Sequence, residues 1–195
     1  MPVRHLCAHL LAIVVAVLAG SLLLAQPAAA DEVQVSETPM IVNHVTLSSG
    51  TPYLETKKRL ESRLGRLDDH IRQLLRENRT EELRAALQSA AGKDGLVIHY
   101  IGVHGDWLIL KGKRENVTEY FTGNVLSAVE MTSVNKASGL YAPLRIVLYQ
   151  NARGGSTIEY DKPSTQLRQF HSPQIDIVAR SLDDRLLRLC TSVLE

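Results

Sequence analysis

The sequence predicts an α+β domain: an antiparallel sheet with helices packed on one face. Three observations carry that prediction. Short segments at 41–47, 96–103, 117–121, 144–150 and 156–160 have the alternating or continuous apolar character of strands. Longer segments repeat leucine or isoleucine every three or four residues, the mark of a helix with one core-facing side. The link Asn151-Ala152-Arg153-Gly154-Gly155 is of hairpin length, which requires antiparallel neighbours.

The chain opens on three zones. These are Arg4, an uncharged apolar run from Leu10 to Ala25, and Ala28-Ala29-Ala30 followed by Asp31-Glu32. That order is a secretory signal peptide, with cleavage expected after Ala30 and a periplasmic or secreted product. The run is shorter than the roughly 20 residues of a spanning helix, so no membrane partner is expected once the leader is gone. Residues 31–39 read as a flexible lead-in, and 40–195 as a single domain long enough to bury roughly 70% of its unfolded surface. Loss of Arg4 from 22 basic and 21 acidic residues leaves a balanced chain. Duplex binding needs a basic excess or stripe, so nucleic acid is excluded as a partner. Cys7 leaves with the leader, and Cys190 alone remains, so the domain relies on its core and not on an internal disulfide.

Ile41 to Leu47 alternates and predicts the first strand. Thr51-Pro52 then supplies a cap and a proline for the start of a helix. Leu60, Leu64, Leu67, Ile71 and Leu74 form one apolar helix face, and Glu81 to Ala91 a second, shorter helix stopped by Gly92. Residues 51–92 therefore predict a helical hairpin or one kinked helix. Leu96 to Val103 is a strand apolar on both faces, and Asp106 is placed to cap a short turn through Trp107 to Leu110. Val117 to Phe121 is the next strand. Asn124 caps a helix to about Val134, and strands 144–150 and 156–160 flank the hairpin. Ser172-Pro173 opens a closing helix, with Val178, Leu182, Leu186, Leu189 and Val193 on one side and Cys190 at the edge of that stripe. Arg145, on the opposite strand face from Leu144 and Ile146, is expected to pair with Glu119 or Glu159.

The stretch Tyr120-Phe121-Thr122-Gly123-Asn124, then Met131, then Gly139-Leu140-Tyr141-Ala142-Pro143-Leu144-Arg145, then Val147, Tyr149, Gly155 and Glu159-Tyr160-Asp161-Lys162-Pro163, resembles domain-of-unknown-function family 302. Pro52-Tyr53 with Leu60 is similar to the family's first helix. The resemblance spans about residues 40–195 and is densest over 117–170. Val103 stands where the family often has Asp before His104, and Val125 where Pro often follows Gly-Asn. Residues of about 65–94 look like a helical insertion. The resemblance implies a fold similar to the TATA-binding-protein-like arrangement, and it implies no activity.

No acyl-transfer motif and no phosphate-binding glycine loop is present. The histidine spacings match no metal pattern on a strand or helix. No cofactor, metal or catalytic residue is assigned. The candidate ligand-binding residues are His104, Trp107, Asn124 and Tyr141. They combine an imidazole near neutrality, the sole Trp, and polar groups beside glycines. Tyr100, Tyr120, Tyr141, Tyr149 and Tyr160 would add aromatic surface on any uncovered sheet face. The expected function is a non-enzymatic binding or protein-interaction module, with a homodimer through the sheet face or the helix pair. The alternatives are a protein binding a small apolar or amphipathic ligand, and an enzyme using His104 as general acid or base.

Overall fold

Strand β1 (His44–Ser49) enters the sheet at one edge, where it pairs antiparallel with β6 (Ser156–Asp161). The computed structural model describes residues 33–195, of which Pro39–Glu195 form one unit. The expected leader and its cleavage site lie outside the described residues. Beyond β6 come β5 (Leu144–Gln150), β4 (Val117–Gly123), β3 (Val97–Gly102) and β2 (Gly65–Arg66), giving the order β1-β6-β5-β4-β3-β2. Every pairing is antiparallel except β2 with β3. This is a mixed α+β architecture.

Alternation within the strands sends one set of side chains to the core. Tyr120, Ile146, Leu148 and Ile158 are fully buried on that face. Against them pack α1 (Tyr53–Arg63) and α7 (Pro173–Leu194), with α5 (Val125–Val134) beside α7. The α7 helix begins as Ser172-Pro173 predicts, the Ser172 hydroxyl accepting from the Ile175 N–H at 3.4 Å. Its stripe of Ile175, Leu182, Leu186, Leu189 and Val193 is buried. Cys190 is buried with that stripe, and burial pushes its thiol up to about 12. Two hydroxyl contacts pin α1 to the sheet: Tyr53 with Thr118 at 2.6 Å, and Tyr120 donating to Glu61 Oε1 at 3.0 Å. The opposite sheet face carries Tyr100, Glu119, Phe121, Arg145, Tyr149 and Glu159 and is covered by none of these three helices. Tyr120 and Tyr160 therefore point into the core, and only Tyr100 and Tyr149 of the strand tyrosines lie on the open face.

The predicted helix through Leu60 and Leu74 is two helices. The first, α1, ends at Arg63; α2 (Asp69–Arg76) begins anew with Asp68 accepting from the Ile71 N–H at 2.9 Å. Between them Gly65 docks against the chain after α3 (Thr80–Ala90). A Cβ there would lie 1.6 Å from the Ala90 carbonyl oxygen. The Gly65 N–H donates to Leu96 at 2.9 Å, which makes β2. The leucine spacing runs across the break, but the two halves bury it differently: Leu60 and Leu64 belong to the main core, whereas Ile71 and Leu74 are buried where α2 packs against α3. Thr51 does not cap α1. Pro52 holds that position, and the Thr51 hydroxyl donates to the Leu194 carbonyl at 2.6 Å. The first strand starts at His44 instead of Ile41, since only from there does β6 offer partners. Two further elements, α6 (Pro163–Leu167) and a 3-10 turn at Arg168–Phe170, fill a segment in which no helix is predicted.

Candidate functional site

At the end of β4 the chain passes through Gly123 into Asn124, the cap of α5. Asn124 Oδ1 accepts from the Ser127 N–H at 2.9 Å, and its Nδ2 donates to the Gly95 carbonyl at 2.8 Å. Opposite α5 lie the start of β5 and the preceding 3-10 turn (Lys136–Tyr141). Between these elements is a cleft of about 290 Å³. Its walls are largely apolar: Val125, Ala128 and Met131 of α5, Pro143 and Leu144, and Leu182 of α7.

Two of the candidate residues meet there. Asn124 and Tyr141 both line the cleft. The Tyr141 hydroxyl accepts from Gln169 Nε2 at 2.8 Å, and its ring stands edge-on to Phe170 with centroids 6.0 Å apart. Both polar groups are thus positioned by the fold, and Asn124 is committed to holding α5.

The polar group that the sequence analysis did not select is His99. It is the extra residue of a β-bulge. Ile98 pairs with Thr122 and Tyr100 with Phe121, so His99 has no partner across the ladder. A bulge re-aims the side chain it releases, and here the His99 ring lines the cleft beside Gly123. It makes no hydrogen bond among the described residues, and partial burial lowers its pKa from 6.5, so the ring is neutral at pH 7. The signal available in the sequence is two polar-capable residues, His99-Tyr100, side by side in an otherwise apolar strand.

His104 and Trp107 stand apart from the cleft. They occupy α4 (His104–Trp107), which starts one residue after β3 and continues into a 3-10 turn at Leu108–Lys111. Val103 precedes the first turn, and Asp106 lies within it instead of capping it. The carboxylate that reaches His104 is Glu119, with Oε2 2.9 Å from Nε2, and not Asp106.

Across the open face a second imidazole is more tightly held. His44 Nδ1 lies 2.9 Å from Asp161 Oδ1 and Nε2 lies 3.0 Å from Glu159 Oε2. Both nitrogens face carboxylate oxygens, an arrangement that favours the doubly donating imidazolium. The two hydrogen bonds, Asp161 first, raise its pKa above 6.5. Tyr149 donates to the other Glu159 oxygen at 2.6 Å, and this bond and that to His44 hold the Glu159 carboxyl below its ordinary value. Arg145 pairs with neither Glu119 nor Glu159. It faces Phe121 across the ladder and makes no ion pair among the described residues.

Among curated proteins none matches this sequence. The chain is similar to the crystal structure of an uncharacterized conserved protein DUF302 from Bacillus stearothermophilus. That match has a TM-score of 0.54 at 20% identity and covers 78% of this chain and 98% of the other. Identity at that level speaks for the fold alone. The family model described as "Domain of unknown function DUF302" matches residues 73–193, more than half of the sequence and most of the sheet, the cleft and the closing helix. The chain therefore belongs to the DUF302 family.

Proposed function

We propose that this chain is a non-enzymatic binding module that takes a small apolar or amphipathic molecule in the cleft beside α5. The observation that carries the reading is the cleft itself. It is apolar on most sides, near the lower end of the size of small-molecule sites, and carries one imidazole with no hydrogen-bond partner among the described residues. Apolar walls supply affinity, and His99 with the Tyr141 hydroxyl supplies orientation.

Octan-1-ol is a fitting probe, with a chain for the walls and one hydroxyl for His99. At about 100 times its Kd a ligand specific to the folded state raises the unfolding free energy by about 2.7 kcal/mol. The expected result is a rise in Tm and a saturable heat of binding. Both should be abolished by Ala128→Trp, which fills the cleft from α5 and whose own melting curve reports whether it folds. Unchanged melting and no binding heat in the parent chain would refute the reading. Export is part of the same proposal: the mature N-terminus of the secreted product should be Asp31. Self-association through the open sheet face is its corollary, checked by sedimentation.

A second reading is favoured by the His104–Glu119 pair, since an imidazole oriented by a carboxylate is what a general base needs. Under it, His104→Gln would abolish any turnover found while leaving octan-1-ol binding intact.

A further inference from the structure

The connection between β3 and β4, residues 103–116, is a built projection. At its base Gly105 is buried against the returning strand. A Cβ there would lie 1.8 Å from the Glu115 carbonyl oxygen, so only glycine allows the two limbs to close. Further out, the N–H groups of Gly112 and Lys113 donate to Ile109 and Leu108 at 2.9 and 3.1 Å. The projection is therefore pinned from within.

Its outer surface reverses the usual arrangement. Trp107 is 72% exposed, Ile109 52% and Leu110 80%. Val103, which caps the first turn, is exposed as well. Monomeric proteins rarely leave so many large apolar side chains together in water without a partner. Directly after this tip come Lys111, Lys113 and Arg114. Lys113 has only a 3.7 Å contact with Glu115, and Lys111 and Arg114 have no carboxylate partner among the described residues.

We propose that this projection docks on the surface of a lipid bilayer carrying anionic headgroups. Trp107, Ile109 and Leu110 enter the interface, and Lys111, Lys113 and Arg114 reach the phosphates. A tryptophan is at home at that depth, with an apolar body and one N–H for the wet side. Lysine and arginine stems lie along apolar surface while their charges stay in water. Charge complementarity selects this occupant over a second copy of the chain, because two projections meeting tip to tip would bring their basic residues together. Asp106 and Glu115 stand on the same segment, so the apolar tip carries insertion and the basic residues set the lipid preference. That no helix among the described residues is long and apolar enough to cross a membrane does not bear on this, since a peripheral contact needs no span.

Trp107 is the sole tryptophan, so its emission in the whole chain reports the projection and nothing else. Vesicles of phosphatidylcholine with phosphatidylglycerol should shift it to shorter wavelength, and brominated lipid should quench it. Ile109→Asp with Leu110→Asp should remove both effects even if another part of the chain stays at the vesicle. Lys111→Gln and Arg114→Gln should each weaken binding roughly fivefold, and about 1 M salt should do the same for the parent by screening. Unmoved emission on anionic vesicles would overturn the proposal. An equal shift on pure phosphatidylcholine would overturn its anionic part. A shift that appears without lipid and grows with protein concentration would assign the tip to a second copy instead.

Discussion

His99 and His44 respond to protons in opposite senses. The unfolded chain titrates both near 6.5. Burial holds folded His99 lower, so as pH falls through 6.5 the unfolded state takes up its proton first and the fold loses stability. His99→Gln should remove that component, and chemical denaturation at about pH 5 and pH 7 should show a smaller difference than in the parent. His44 is raised, so its contribution is whole below 6.5 and is lost as pH rises through its folded value. His44→Gln should cost most near pH 6 and least near pH 9, and no more than about 1 kcal/mol, since the ring is half exposed. Because the Glu159 carboxyl is held low, the acid side of this contribution survives until that group is protonated. At Gly65 the issue is steric. Gly65→Ala should cost about 3 kcal/mol or more, read as a fall in the denaturation midpoint, because its Cβ meets main chain that cannot rotate away.

Among the elements, α5 and α7 separate two kinds of dependence. Asn124 supports α5 with both ends of its amide, so Asn124→Ala should cost about 1–2 kcal/mol and weaken octan-1-ol binding through a loosened cleft wall. Leu186 is fully buried in α7. Leu186→Ala should cost roughly 2–5 kcal/mol in denaturant unfolding while leaving the cleft walls in place. Both helices were legible in the sequence because their start signals are local: Asn124 and Ser172-Pro173 act within one turn. Strand 144–150 was legible for a like reason, with plain alternation between a proline and a hairpin. Nothing local marks β2. Two residues become a strand only because Leu96 comes to meet Gly65. The bulge at His99 likewise exists only against Thr122 and Phe121, which is why Asn124 and Tyr141 could be picked for the cleft and His99 could not. Arg145 was assigned a carboxylate from strand proximity, yet His44, Tyr149 and His104 take those carboxylates first.

For the whole molecule, the sheet order places β5 and β4 inside and β1 and β2 at the rims. Amide exchange should follow that order, slowest at Ile146, Leu148 and Tyr120 and fastest in β2. A reversal, with β1 slower than β5, would mean that the β1 edge is paired with another strand in solution. The helices cover one side of the sheet, burying its centre and leaving Val45, Leu47 and Ile101 partly buried towards the rims. The other side holds charges and rings that neutralise one another in the His44, Asp161, Glu159 and Tyr149 network. That division keeps one sheet surface in water, and it leaves the two apolar features, the cleft and the projecting tip, as separate places on the molecule.

The first strand of the sheet has to wait for the last. His44 meets Asp161 across 117 residues, and the hydroxyl just after β1 is tied to Leu194, one residue from the end. While the chain is being made, β1 has no strand to pair with until β6 follows it. Its pairing is among the longest-range contacts of the fold, and the sheet cannot close on that side until residues 156–161 are present.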